Sequence, residues 1–261
     1  MRHVGLGIVV AAVALSAAAC GGDGDSQTTH SPVGGTTVSQ AAQPSTLPRG
    51  SEPVKLDPAD FTTRIDNPYW PMTPGSRWVY RETDAEGNEQ HVEVTVATET
   101  KVILGIEARV VHDVVTEDGA LVEDTYDWYA QDAEGNIWYL GEDTKEYENG
   151  KVKTTEGSWQ AGVDGAQPGV LLPGHPTVGI TYRQEYKKGE AEDAAEVLSL
   201  DETAKVPYGS FDGVLMTREH TPLKPGVVEH KLYAPGVGPV LALTVSGGSD
   251  REELLSFETT S

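Results

Sequence analysis

Cysteine and basic charge are both scarce in this sequence. Cys20 is the single thiol among 261 residues, so an internal disulfide, a multi-cysteine zinc site and a thioredoxin-type pair are excluded. Lys and Arg number 19 against 41 Asp and Glu, a formal charge of −22, and no segment gathers enough basic residues to neutralise several phosphates. Nucleic acid is thereby excluded as an electrostatic partner, and the acidic surface argues for solubility rather than for a partner. Long apolar runs are missing as well. The stretch from Val4 to Leu15 is too short for a comfortable transmembrane helix. Sharp catalytic motifs are also lacking: Gly209-Ser210-Phe211-Asp212-Gly213 has its serine one place early for a nucleophile elbow, and there is no His-Glu-x-x-His, P-loop or dinucleotide fingerprint. No cofactor and no metal site is expected.

What is present begins with a processing signal. Arg2 and His3 precede the apolar stretch, which ends at Ala17-Ala18-Ala19-Cys20-Gly21-Gly22, the order of basic, apolar and small-residue regions in an export signal. Residues 1–19 are expected to be cleaved. The segment resembles a bacterial lipobox, although Ala17 stands where Leu is commonest. That resemblance implies a diacylglyceryl group on Cys20 and a lipid anchor on the extracytoplasmic side of the cell membrane, where two acyl chains hold stably. The alternative is an ordinary signal peptide with Cys20 incidental. Residues 20–56 then read as a disordered tether, rich in Gly, Ser, Thr, Pro and Gln and too poor in apolar side chains to offset its ordering entropy.

From Asp57 the pattern changes. Asp57-Pro58 reads as the cap of one short helical turn, and beyond it strand-like runs alternate with turn signals every ten or so residues. Strands 76–83 and 89–98 flank Asp84-Ala85-Glu86-Gly87-Asn88, a bulged-hairpin turn. Pairing Thr83 with Glu89 sets Trp78 against Val94 and Tyr80 against Val92 on an apolar face, and Arg77, Val79 and Arg81 against Thr95, Glu93 and His91 on a polar one. The same five residues recur at 132–136 between 121–131 and 137–141. There the equivalent register puts Tyr126, Trp128, Ala130, Trp138 and Leu140 on one face and Tyr129 opposite Tyr139 on the other. Residues 161–179 read as a Gly/Pro-rich loop with Val170-Leu171-Leu172 as its apolar knot. Further strands are expected near 181–188, 195–206, 214–221, 227–234, 240–245 and 253–259. Residues 57–261 are therefore expected to form a single all-β domain, an antiparallel meander of ten or eleven strands forming a strongly curled sheet or open barrel.

Two segments carry a resemblance. Asn67-Pro68-Tyr69-Trp70-Pro71-Met72-Thr73-Pro74-Gly75-Ser76-Arg77-Trp78-Val79-Tyr80 is similar to the start of the first strand in many β-rich bacterial envelope proteins, with Met72 where Leu is usual. Tyr233-Ala234-Pro235-Gly236-Val237-Gly238-Pro239-Val240 is similar to their closing strand-turn-strand. These are mostly uncharacterised secreted or lipid-anchored proteins, and the resemblance implies a curled antiparallel sheet but no catalytic residues. On physical grounds both segments are turn punctuation around buried aromatics.

For chemistry, the aromatics are the strongest candidates. Trp70, Trp78, Tyr126, Trp128 and Trp138 could line the concave face of a curled sheet and hold an apolar small molecule or lipid, or they could fill a solid core. This favours a membrane-tethered binding or carrier module. The alternatives are an extracytoplasmic hydrolase and a structural or protein-interaction role. A hydrolase would draw on carboxylates such as Glu142-Asp143, or on His220 and His230. Those histidines lie on the hairpin 214–221 and 227–234, where a four-residue turn sets His220 opposite Glu229 and Glu219 opposite His230 as surface charge pairs. The acidic turns carry oxygen ligands but lack the full spacing of a calcium loop.

Overall fold

The computed structural model describes residues 47–259. Cys20, the export signal and most of the tether lie outside the described residues. Among the described residues a single 3-10 turn, Pro58–Asp60, is capped by Asp57, whose Oδ1 accepts from the Ala59 N–H at 3.0 Å. The rest is strand: β1 (Phe61–Thr62), β2 (Arg77–Thr83), β3 (Glu89–Ile103), β4 (Ile106–Glu117), β5 (Ala120–Asp132), β6 (Ile137–Glu148), β7 (Lys151–Thr154), β8 (Trp159–Gln160), β9 (Gln167–Leu172), β10 (Thr181–Arg183), β11 (Glu185–Tyr186), β12 (Ala194–Val206), β13 (Gly209–His220), β14 (Val228–Ala234), β15 (Gly238–Ser246) and β16 (Arg251–Glu258).

The fold is the all-β, curled antiparallel arrangement that the turn spacing predicts. Its main path runs β10-β12-β13-β14-β15-β16-β2-β3-β4-β5-β6-β9-β11, with β1, β7 and β8 as short additions. The two ends of this path, β10 and β11, are separated by Gln184 alone. A sheet that returns to its own first strand is nearly closed into a barrel, which hides the edges that would otherwise template aggregation.

The β2–β3 register is the expected one from Arg77↔Thr95 to Thr83↔Glu89. The β5–β6 register is also as expected from Gln131↔Ile137 to Tyr129↔Tyr139, and then a bulge intervenes so that Asp127 faces Glu142. The bulge falls at Gly141, which has φ 135° and lies so close to the backbone of Trp159 and Gln160 that a Cβ would collide with it.

The loop expected at 161–179 instead contains β9, which pairs with β6 and β11. Gly169 is the reason, because its bare Cα lets the backbone of Arg183 and Gln184 press against it. Val170 and Leu172 are then fully buried. The β13–β14 register is shifted by one from expectation, to Glu219↔Glu229 and Arg218↔His230. Two successive turns, Lys224 N–H to Thr221 O and Val227 N–H to Lys224 O, make that connection longer than four residues.

Residues 47–56, assigned by composition to the tether, lie against the barrel as a strap. Leu47, Val54 and Leu56 pack on the core. The Arg183 N–H donates to Pro48 O at 2.6 Å, its Nη1 donates to the carbonyls of Gly50 and Glu52, and Val54 N–H donates to Gln167 Oε1 at 3.2 Å.

Candidate functional site

The interior of the barrel has two chemistries. At one end the two resemblance segments meet. Trp78 Nε1 donates to Val237 O at 2.8 Å, Tyr80 Oη donates to Pro239 O at 3.0 Å, and Gly236 N–H donates to Pro68 O at 2.8 Å. Gly238 passes so close to the Trp70 ring that any side chain there would strike it. Trp70 is a plug. Its ring centroid lies 6.5 Å from Trp78, 6.1 Å from Tyr129 and 6.1 Å from Tyr233, side chains contributed by β2, β5 and β14. Tyr139 stacks on Tyr129 at 4.8 Å and continues the cluster.

The remainder of the interior is acidic. Among the described residues ten carboxyl side chains are buried: Glu82, Asp113, Glu123, Asp127, Glu142, Glu185, Asp193, Glu219, Glu229 and Glu252, against three basic ones, Arg109, Arg183 and Lys231. They come from inward-facing positions of neighbouring strands: Glu82 faces Glu252, Asp127 faces Glu142, and Glu219 faces Glu229.

Lys231 is the cation within this group, its Nζ 2.9 Å from Glu219 Oε2 and 3.8 Å from Glu229 Oε2. Tyrosine hydroxyls mark the border with the aromatic end: Tyr139 donates to Asp127 Oδ1 at 2.6 Å and Tyr233 to Glu219 Oε1 at 3.2 Å. Neither carboxyl oxygen of Asp113 has a hydrogen-bond partner among the described residues, nor has Oε2 of Glu142 or of Glu252.

Burial dominates the electrostatics. It drives the Asp113 carboxyl well above the usual range, and repulsion from Glu123, Asp127, Glu252 and Glu82 adds to it. Burial likewise raises Glu123 to about 8 against the lowering effect of the Thr125 hydroxyl, and Asp127 to about 7 against Tyr139 and Tyr129. Asp193 and Glu229 are each pushed up to about 7, Glu229 less than burial alone would dictate because Lys231 pulls it down. For Lys231, burial opposes the charge, but Glu219 and Glu229 more than offset it and the ammonium is raised. The interior thus prefers protons or an added cation to its own bare charge.

Of the five aromatics singled out from the sequence, Trp70 and Trp78 are together in the interior. The other three lie on the opposite face of β5 and β6, where Trp128 and Trp138 are still buried in the core. Tyr126 stacks on His112 with ring centroids 4.2 Å apart and is 37% exposed. Trp128 is covered by the Lys101 ammonium, 3.1 Å above its ring, and Trp138 meets Phe61 edge-on at 6.2 Å and donates to Asp132 Oδ2. Of the buried acids only Glu142 was singled out from the sequence as a candidate, with its half-exposed neighbour Asp143, and the others were not recognised as interior because alternation assigned polar positions to solvent. His220 and His230 are not brought onto a shared metal, and no group of three or more His, Cys, Asp or Glu among the described residues is arranged to hold one. In the repeated turns, Asp84 and Asp132 spend their carboxylates on the N–H groups two and four residues on and on the following Asn amide, and Asp132 also on the Trp138 indole, so these bonds account for them without an ion.

Clefts open on this framework among the described residues. One of about 560 Å³ runs between the strap and the β5–β6 turn, with Leu47, Val54, Leu56, Phe61 and Trp138 in its walls. Another of about 280 Å³ reaches Glu123 between β5 and the β6–β7 turn, and a third of about 420 Å³ has Glu185 and Asp193 in its lining.

No protein-family model and no curated protein matches the chain. Two solved structures are similar to it. One, described as a "putative lipoprotein" from Parabacteroides distasonis, is 14% identical with a TM-score of 0.40, over 73% of this chain and 98% of its own. The other, a "putative exported protein with YmcC-like fold" from Bacteroides fragilis, is 15% identical with a TM-score of 0.41, over 73% of this chain and 99% of its own.

Proposed function

We propose that the chain is a lipid-anchored extracytoplasmic binding or carrier protein that holds an apolar ligand in the cleft between its strap and the β5–β6 turn. The observation that carries this reading is the cleft itself. Its volume of about 560 Å³ falls in the range of small-molecule sites, and Leu47, Val54, Leu56, Phe61 and Trp138 form the apolar part of its wall. The charged rim of Glu52, Lys55, Asp57, Asp60 and Glu134 leaves room for a ligand with a polar head. Leu47 is part of the wall. Anchoring at Cys20 would keep the domain within a linker's reach of the membrane from which an apolar ligand would come.

Two measurements test the reading. Fatty-acid labelling in a bacterial host should mark the wild type and not Cys20→Ser; equal labelling of both, or of neither, removes the anchor. Native mass spectrometry of the full chain from the same host should show a co-purified lipid that Trp138→Ala loses and Trp128→Ala keeps, since Trp128 lies outside this cleft. A lipid retained by Trp138→Ala, or none in the wild type, would reject this site.

A further inference from the structure

The two walls of the apolar cleft are held in different ways. Phe61 and Trp138 stand on strands fixed by ladder pairing, β1 to β5 and β5 to β6. The facing wall is the strap, residues 47–56, which belongs to no strand or helix. Leu47, Val54 and Leu56 are only partly buried where they pack on the core. A segment with few buried apolar contacts and no ladder opens at lower cost than the strands beneath it.

One residue dominates its attachment. The Arg183 N–H donates to Pro48 O at 2.6 Å, and Arg183 Nη1 donates to the carbonyls of Gly50 and Glu52. Glu52 prepares these acceptors. Its Oε1 takes the Arg49 N–H at 2.6 Å and its Oε2 the Gly50 N–H at 2.9 Å, which folds 49–52 into a turn. Arg183 is itself fixed: it is 2% exposed, pairs through β10 with Ala194, and donates through Nη2 to Pro168 O at 2.8 Å. It thus ties the strap to β9 and β10 at the end of the sheet path. Val54 adds a bond from its N–H to Gln167 Oε1 at 3.2 Å. There is also space for movement. Arg49, Gly50 and Ser51 line the separate cleft of about 420 Å³, so the middle of the strap borders open volume there.

We propose that the strap is a lid over the apolar cleft and that Arg183 is its latch. Resting on the apolar-binding reading above, the lid gives the ligand its way in. Release of the Gly50 and Glu52 carbonyls lets the strap lift away from Phe61 and Trp138, and a bound apolar ligand, touching both walls, holds it down.

Trypsin reads the lid directly, because Arg49 and Lys55 lie in the strap and cleavage tracks the population of the opened form. In the full chain, Arg183→Gln should speed cleavage after Arg49 and Lys55 about tenfold. Cleavage after the exposed Lys151 of β7 should keep its wild-type rate. Circular dichroism checks the fold. If Arg183→Gln fails to fold, Gln167→Ala, which removes the Val54 bond, should speed strap cleavage about threefold. Stopped-flow fluorescence of the apolar probe N-phenyl-1-naphthylamine then reads the cleft. Its release from the latch variant should quicken by the same factor as strap cleavage, its presence should slow strap cleavage in the wild type, and Trp138→Ala should weaken its binding about tenfold or more. Unchanged strap cleavage in the folded latch variant, equal acceleration after Lys151, or unchanged probe release would overturn the lid and leave the cleft a fixed pocket. Probe affinity unaltered by Trp138→Ala would overturn the apolar reading, and the lid with it, whatever trypsin shows.

Discussion

The two halves of the barrel interior obey opposite rules. At the aromatic end, Trp78 bonds Val237 O, Tyr80 bonds Pro239 O, and Gly238 yields its side chain so that Trp70 can close the space, its indole N–H alone of these donors lacking a hydrogen-bond partner among the described residues. In the acidic part, carboxyls face carboxyls across strand pairs, and Asp113 has no hydrogen-bond partner among the described residues for either oxygen. Burying an apolar ring stabilises the fold, whereas burying unpaired carboxyls costs free energy unless a proton or cation accompanies them. The aromatic end is therefore explained by folding alone. The acidic part is not, and local rules broken at a stability cost are the usual mark of a functional site.

The largest effect should come from breaking the aromatic end. Trp78→Ala removes a fully buried ring that stacks on Phe257 at 5.0 Å and loses the bond to Val237. A loss of about 3–5 kcal/mol is expected, read from denaturant unfolding. A loss below about 1 kcal/mol would mean that the clasp between the two segments does not organise the barrel.

Substitution in the acidic part should act in the other direction. At neutral pH, Asp113→Asn relieves a carboxyl whose charged form is disfavoured by burial and by four neighbouring acids, with an expected gain of about 1–3 kcal/mol. The gain should vanish near pH 4, where the unfolded chain is protonated at this position as well. The same linkage sets the sign for the wild type. Glu123 is raised from 4.5 to about 8, and Asp127 and Asp193 from 3.8 to about 7. Between the unfolded and folded values the native state binds more protons, so stability is greatest near pH 4 and falls as pH rises to about 8. Thermal midpoints taken across that interval check it. A midpoint rising with pH would show that the interior is neutralised in some other way.

What the sequence revealed depended on which face of a strand met solvent. In β2 and β3 the apolar side points inward, so alternation plus a five-residue turn located the whole pairing from Arg77 to Thr83. In β5 the inward side carries Glu123, Thr125 and Asp127, while Tyr126 and Trp128 lie on the opposite face under His112 and Lys101. A period of two identifies a strand but assigns its faces only by assuming that apolar means inside. That assumption fails where a barrel interior is polar, so the acidic compartment was hidden, and of the five candidate aromatics Trp70, Trp78, Trp128 and Trp138 are buried in the core while Tyr126 is exposed. A more telling signal was available in β14, where Glu229, Lys231 and Tyr233 alternate with His230 and Leu232. Neither set is uniformly apolar, which marks a strand whose polar positions need not face water. The β13–β14 register and β9 were missed for local reasons, a double turn in one case and a glycine pressed against neighbouring backbone in the other.

The smallest predicted difference lies between the two Asp-Ala-Glu-Gly-Asn turns, where sequence and local geometry are the same and surroundings differ. Asp84 makes its side-chain bonds within its own turn, which is exposed to solvent. Asp132 makes the same bonds and also accepts from Trp138 Nε1 at 2.7 Å, while Asn136 Oδ1 receives the Gly174 N–H at 2.9 Å. The second turn therefore ties β5 to the start of the 173–180 connection and fixes the Trp138 ring that walls the apolar cleft. Removing a carboxylate in water costs little because solvent replaces its bonds. Removing one that satisfies a buried indole leaves that donor unpaired. Asp132→Ala is expected to lower stability by about 1–2 kcal/mol and to loosen Trp138, seen as a red shift of tryptophan emission. Asp84→Ala should give a smaller loss and no spectral change. Equal losses from both substitutions would show that the five-residue turn alone sets the energy and that the Trp138 bond adds nothing to it.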